Sequence, residues 1–123
     1  MYKYVTIVLC FIMLSCSSDN TSQLTPQYWQ DIEIVVEPRP TPVRVGATEF
    51  LIRATNKDGG AAHDLIISLR MDDTTAWRQA IQDGQTGVYR RGLIVKAGEK
   101  SVFVQLNRKD QVGILTFPVN VTQ

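Results

Sequence analysis

Short runs of β-branched and aromatic residues, each ended by a turn signal, most restrict the fold that this chain can adopt. No segment keeps the apolar period of a long amphipathic helix, whereas strand-like runs recur from residue 31 to residue 121. The runs cover residues 31–37, 49–55, 63–71, 75–82, 88–95, 101–106 and 113–121. The sequence therefore predicts an all-β fold with seven strands.

Polar and proline-rich connections separate these runs. Pro38, Pro40 and Pro42 end the first run, because proline has no amide hydrogen to donate to a sheet. Residues 56–60 end in two glycines, which accept the positive φ of tight turns. Residues 75–82 suit a helix or a strand, and we favour a strand or an irregular edge because the segment is short and lies between strands. Seven short strands with short connections are typical of an antiparallel, immunoglobulin-like sandwich.

The N-terminus is more apolar than the rest of the chain. Residues 4–14 contain ten hydrophobic residues out of eleven, after the cationic Lys3 and before the small, polar Ser15. This is the three-part pattern of a secretory signal. A transmembrane helix needs about 20 apolar residues, so the run is too short to span a bilayer. We therefore predict a signal helix over residues 1–15.

Met13, Leu14, Ser15 and Cys16 resemble the bacterial lipobox, in which aliphatic and small residues precede a lipidated cysteine. The resemblance implies cleavage after Ser15 and lipidation of Cys16, so that acyl chains such as palmitate hold the protein in a membrane. Ser17 follows the cysteine where an aspartate would retain the protein in the inner membrane. By that sorting rule of Gram-negative lipoproteins we expect the periplasmic face of the outer membrane. The alternative is a soluble secreted protein without lipid.

These features divide the chain into three parts. They are a lipoprotein signal peptide (1–15), a lipidated flexible tether (16–27) and a β-sandwich domain (28–123). The tether is polar, with Leu24 as its one aliphatic residue. Because Cys10 leaves with the signal and Cys16 carries lipid, we expect the domain to have no thiol for a disulfide or for catalysis.

The net charge of the chain limits the kinds of partner that we expect it to bind. The chain has 13 basic and 12 acidic residues and a formal net charge of +1, and Lys3 is the one charged residue of the predicted signal. Without the signal the chain is neutral. Nucleic-acid binding needs a cationic excess, so we expect no nucleic-acid partner and attachment to the membrane through lipid rather than charge.

His63 and Met71 are the side chains of the domain that suit a copper ion. At about 3.3 Å per residue along one predicted strand they lie about 26 Å apart, too far to share an ion. Met71 is therefore expected in the core or at its rim. With one histidine, no thiol and no Gly–x–Ser–x–Gly motif, the domain lacks the residues of a nucleophilic site. We expect no metal site, no cofactor and no enzymatic activity.

Aromatic and basic residues cluster in the middle of the domain. Tyr89, Arg90 and Arg91 lie together on one predicted strand, and Trp77 and Arg78 lie on the strand before it. Tryptophan, tyrosine and arginine are enriched at the energetic centres of protein interfaces. We predict that these five residues bind another envelope protein. The alternative is that Tyr89 and Trp77 are half-buried core residues beside solvated arginines.

From residue 37 onward the order of motifs resembles the YtkA-like family of small exported bacterial domains, which overlaps with FixH-like domains. The matching motifs are Glu-Pro at 37–38, Val-Gly at 45–46, Asn-Lys-Asp-Gly-Gly at 56–60, Met-Asp at 71–72, Gly-Val-Tyr at 87–89 and Phe-Pro-Val-Asn-Val at 117–121. The resemblance implies a non-catalytic accessory protein of the cell envelope. Two alternatives stay open: an accessory for copper handling or respiratory oxidase assembly, and a structural lipoprotein of a secretion or surface-assembly machine.

Overall fold

The computed structural model describes residues 23–123. The predicted signal peptide over residues 1–15, the cleavage position Ser15, the lipidation site Cys16 and the tether as far as residue 22 lie outside the described residues. Among the residues that are described, no helix is long and apolar enough to cross a membrane.

The chain from residue 23 to residue 123 is all-β, as predicted, and has nine strands and no helix. The strands are β1 (Gln27–Trp29), β2 (Ile32–Arg39), β3 (Gly46–Thr55), β4 (Ile66–Arg70), β5 (Arg78–Gln79), β6 (Ile81–Gln82), β7 (Val88–Val95), β8 (Ser101–Arg108) and β9 (Gln111–Pro118). They form two antiparallel sheets. One sheet has five strands in the order β1-β2-β3-β7-β6, and the other has four in the order β5-β4-β8-β9.

The inner faces of the two sheets share one hydrophobic core. Successive side chains of a strand point to opposite faces, so alternate residues of each long strand enter the core. The five-stranded sheet contributes residues such as Ile34, Val36, Phe50, Ile52 and Tyr89, and the four-stranded sheet contributes Ile67, Leu69, Val104, Leu106 and Phe117. Because residues 23–123 contain no cysteine, burial of these side chains takes the place of a disulfide in stabilising the fold.

The strand count differs from the predicted seven for two reasons. The first is that the segment 75–82 forms two strands: Gln79 of β5 pairs with Ser68 of β4, whereas Ile81 of β6 pairs with Arg90 of β7. The backbone therefore crosses from one sheet to the other at Ala80, whose side chain is buried. The preference for strand over helix in this segment is confirmed.

The second reason is β1, which pairs with the start of β2 across a turn at Gln30 with a φ of 55°. Leu24, upstream of β1, donates its amide to the carbonyl of Val36 at 2.8 Å. The side-chain amide of Gln27 donates to the carbonyl of Thr116 in β9 at 2.6 Å. The end of the predicted tether thus contacts both sheets before β2 begins.

Candidate functional site

A cleft of about 680 Å³ lies between residues of the two sheets, next to β5. We call it the edge cleft. Its lining comes from the first residues of β3, the last residues of β7, the connection between β4 and β5, and the turn between β7 and β8. Ala47, Met71 and Leu93 supply apolar surface, and charged side chains complete the lining. The edge cleft therefore combines an apolar interior with polar groups, which is typical of ligand sites.

Three polar side-chain atoms of this lining are buried and have no hydrogen-bond partner among the described residues. They are the hydroxyl of Thr48, Nε of Arg70 and Oε2 of Glu99. A fourth such atom in residues 23–123, Nε of Arg108, lies elsewhere. Thr48 is on the inner face of β3 and is only 2% exposed. Buried polar atoms without partners are rare and costly, so their concentration here marks the edge cleft as a candidate binding site.

The guanidinium of Arg70 stacks on the ring of Trp77, with Cζ 4.1 Å from the ring centroid. The register of β4 and β5 explains the stack. Leu69 pairs with Arg78, and because the two strands are antiparallel, Trp77 before Arg78 lies beside Arg70 after Leu69. A second contact restrains the same group, because Nη1 of Arg70 donates to the carbonyl of Thr75 at 3.4 Å. The arginine is thus held in place at the cleft by a cation–π contact and a hydrogen bond.

The three acids that line the edge cleft already accept hydrogen bonds. Asp72 accepts from Thr74 and Thr75, and Glu99 accepts from the amide of Lys96 through Oε1 at 3.0 Å. The hydrogen bonds from Thr74, first from its side chain and then from its backbone, hold the pKa of Asp72 below its ordinary 3.8, with a smaller contribution from the charge of Lys96. Glu49 forms an ion pair with Arg90 at 3.2 Å.

The edge cleft is lined by four cations, Arg39, Arg70, Arg78 and Lys96, of which Arg39 pairs with Glu37 at 3.7 Å. Arg78 and Lys96 are exposed, and neither takes part in an ion pair within the described part of the chain. Arg70 makes no ion pair there either. Arg70 and Arg78 therefore have no ion-pair partner among the described residues, whereas the charge of Lys96 acts on Asp72.

The structure does not bring the five predicted partner-binding residues onto one surface. Tyr89 is a correction: its side chain faces the core, is 2% exposed, and donates its hydroxyl to the carbonyl of Ala62 at 2.8 Å. Neighbouring residues on a strand point to opposite faces, so Tyr89 and Arg90 cannot form one patch. The alternative interpretation, that Tyr89 belongs to the core, is the one that the structure supports.

Arg90 and Arg91 also have separate surroundings. Arg90 lies on the outer face of the five-stranded sheet and binds Asp83 at 2.6 Å as well as Glu49. The hydrogen bond that Arg90 donates to Asp83 is the main reason that the pKa of Arg90 is raised. Arg91 shares the inward parity of Tyr89 and donates from Nη1 to the carbonyl of Gln79 at 3.5 Å. Of the predicted set, Arg78 lines the edge cleft and Trp77 stacks on a residue that lines it.

The sequence did not predict Thr48, Arg70 and Glu99 as site residues. No local pattern marks them, because they lie on three different elements and meet only through the pairing of β3 with β7 and of β4 with β5. One available signal was the alternation along β3, which places the polar Thr48 on the same face as Phe50 and Ile52. A hydroxyl at a core position is the kind of exception that points to a site.

The predicted strand 63–71 is shorter in the structure, where β4 covers Ile66–Arg70. His63 is exposed before it, and Met71 is buried after it, as expected for a core residue. Within residues 23–123 no group of three or more histidine, cysteine, aspartate and glutamate side chains could hold a metal ion.

A second, smaller cleft of about 480 Å³ lies near Tyr28, Glu33 and Asn56. Two of its polar groups already donate hydrogen bonds: the Tyr28 hydroxyl donates to Glu33 at 3.0 Å, and the side-chain amide of Asn56 donates to the carbonyl of Ala61 at 3.2 Å. None of the buried polar atoms without a partner in the described chain lines this cleft. The edge cleft is therefore the stronger candidate.

Comparison of the chain with protein-family models, with curated proteins and with solved structures finds no match.

Proposed function

We propose that this protein is a lipid-anchored, non-catalytic module of the bacterial cell envelope that binds another envelope protein at the edge cleft. The observation that carries the proposal is the cleft itself, where three buried polar atoms without partners lie next to the stacked pair of Arg70 and Trp77. A partner that fills the cleft supplies the missing hydrogen bonds and removes the apolar lining from water.

The composition of the edge cleft favours a protein partner. Tryptophan and arginine are enriched at the energetic centres of protein interfaces. Arg70 and Arg78 line the cleft, and Trp77 stacks on Arg70. The cation–π contact fixes Arg70 before binding, so less conformational entropy is lost when a partner contacts it. The cleft of about 680 Å³ is large enough to receive side chains of a second protein.

The topology supports an immunoglobulin-like sandwich as the scaffold. In that fold a four-stranded sheet faces the sheet that holds the third, sixth and seventh strands of the fold. Here β2, β3, β7 and β6 correspond to the first sheet and β4, β8 and β9 to the second, with β5 and β1 as additional edge strands. Such a scaffold hosts many functions, so the edge cleft rather than the fold carries the functional argument.

The N-terminal sequence supports attachment at Cys16, on the periplasmic face of the outer membrane. Acyl chains stabilise membrane attachment by about 0.8 kcal/mol for each buried methylene, so several chains anchor a protein stably. In cells supplied with labelled palmitate, we expect the wild-type protein to carry label and a Cys16→Ser variant to carry none. A Cys16→Ser variant with unchanged label and electrophoretic mobility would show that the anchor lies elsewhere.

The partner surface is tested by photo-crosslinking in intact cells. A photo-reactive residue is placed at Ala76 or at Ile94, which are exposed and line the edge cleft from different elements. Lys57 is the control position, because it is exposed and follows the far end of β3. We expect positions 76 and 94 to trap the same protein and position 57 not to trap it. If neither cleft position traps a protein, the proposed function is wrong.

A further inference from the structure

We infer that the edge cleft receives an acidic segment of the partner protein, whose carboxylate binds Arg70 and Arg78 while its backbone pairs with Thr48 and Glu99. This inference rests on the proposed function and adds the chemistry that the partner presents. It combines two independent observations on the cleft, one on charge and one on hydrogen bonding.

The charge observation is an imbalance in how the lining residues are engaged. Asp72 accepts a hydrogen bond from Thr74 and Glu49 pairs with Arg90, whereas Glu99 accepts from the amide of Lys96 through Oε1 alone. Arg70 and Arg78 form no ion pair within residues 23–123, whereas the charge of Lys96 acts on Asp72. An aspartate or glutamate side chain of the partner can form charge-assisted hydrogen bonds with Arg70 and Arg78, which no acid of this chain occupies in the described residues.

The hydrogen-bonding observation is the mixed character of the three buried atoms without partners. Nε of Arg70 can only donate, Oε2 of Glu99 can only accept as a carboxylate, and the hydroxyl of Thr48 can do both. A bare anion such as sulfate offers acceptors but no donor for Glu99. A polypeptide offers both, because each peptide group carries one carbonyl acceptor and one amide donor.

The aromatic stack explains why an arginine at this place favours a carboxylate in a fixed orientation. Trp77 covers one face of the Arg70 guanidinium, and the carbonyl of Thr75 accepts from its Nη1. A planar guanidinium restrained on one face and one edge keeps its remaining donors aimed in a constant direction, as recognition of a carboxylate requires.

The test uses the full chain in cells with the photo-reactive residue at Ala76. It identifies the trapped segment of the partner and measures how the crosslinking yield depends on charge. Mass spectrometry of the crosslinked peptide identifies the segment of the partner at the cleft. We expect an aspartate or glutamate in that segment. We also expect Arg78→Glu to lower the crosslinking yield about tenfold, and Lys57→Glu, at the far end of β3, to leave it unchanged. Replacing the acidic residue of the partner by lysine should restore the yield with Arg78→Glu.

The outcomes separate this inference from the proposed function. If position 76 traps a partner but the segment has no acidic residue, or Arg78→Glu crosslinks as well as wild type, the acidic segment is refuted and the partner surface stands. If positions 76 and 94 trap nothing, both are refuted. Arg78 is exposed, so thermal unfolding of the purified Arg78→Glu protein is expected to match wild type, which excludes misfolding as the cause of a lower yield.

Discussion

The indole ring of Trp29 occupies the space that a side chain at Gly113 would fill. A Cβ atom built on Gly113 overlaps the pyrrole edge of the ring around Nε1. Trp29 ends β1 of the five-stranded sheet, and Gly113 lies on the inward-facing parity of β9 in the four-stranded sheet. The contact joins the two sheets at the β1–β9 edge, whereas the edge cleft lies beside β5 at the other.

Gly113→Ala should therefore destabilise the protein although it adds only a methyl group. The indole must move or the strands must separate, and overpacking of this kind costs about 1–3 kcal/mol. Urea unfolding measures the loss. Gly92→Ala is the matched control, because a Cβ there meets nothing closer than a carbonyl oxygen at 4.0 Å, so its stability should stay within about 0.5 kcal/mol of wild type.

A double-mutant cycle tests the cause of the Gly113→Ala effect. In the background of Trp29→Ala the indole is absent, and the added methyl group at residue 113 should cost little or nothing. An equal cost in both backgrounds would show that the glycine is needed for a reason other than the contact with Trp29.

Tyr89→Phe should destabilise the protein because it removes a hydroxyl that serves two backbone groups. The hydroxyl donates to the carbonyl of Ala62 and accepts from the amide of Leu65 at 3.3 Å, and burial is the main reason that the pKa of Tyr89 is raised. Both partners stay buried without a bond in the variant, which costs about 1–3 kcal/mol. Tyr28→Phe is the control, because Tyr28 is 66% exposed. Equal unfolding midpoints for the two variants would contradict the stabilising role of the Tyr89 hydroxyl.

The sequence was informative wherever a structural rule is local. The run 88–95 coincides with β7, and the all-β class is confirmed, because alternation of apolar residues depends only on neighbours along the chain. The crossing at Ala80 was not predicted, since it depends on β4 and β7 lying on either side of it. Alternation did separate Tyr89 from Arg90, so strand parity alone argued against grouping them in one patch.

The edge cleft could not be predicted because its parts are distant in sequence. Thr48, Arg70 and Glu99 line one cleft only after β3 pairs with β7 and β4 pairs with β5. Trp77 and Arg78 were found because their residue types are common in interfaces, which does not depend on knowing the fold. The signal that identifies the cleft, three buried atoms without partners, exists only in the folded protein.

The connection between β4 and β5 should weaken in acid. Hydrogen bonds from Thr74 hold the folded-state pKa of Asp72 below the ordinary 3.8. Ionised Asp72 therefore stabilises the fold above about pH 4. This stabilisation is lost as the pH falls through the lower pKa of the folded state. Between about pH 4 and pH 2 the Tm of wild type should therefore fall more steeply than that of Asp72→Asn. Thr74→Ala removes the side-chain hydroxyl, which is the main donor to Asp72, and should make the fall of Tm with pH less steep as well. Parallel curves for all three proteins would contradict this assignment.

Thr48→Val should raise the stability of the free protein while weakening partner binding. Valine has nearly the shape of threonine, and it removes a hydroxyl that is buried without a partner among the described residues. Relief of that cost is worth about 1 kcal/mol, which corresponds to a rise in Tm of about 4–8 °C in a domain of this size. Thr116→Val, at an exposed position of β9, is the control and should change Tm less. Crosslinking from Ala76 should decrease with Thr48→Val and not with Thr116→Val. A hydroxyl with a purely structural role would give the opposite result, a lower Tm and unchanged crosslinking.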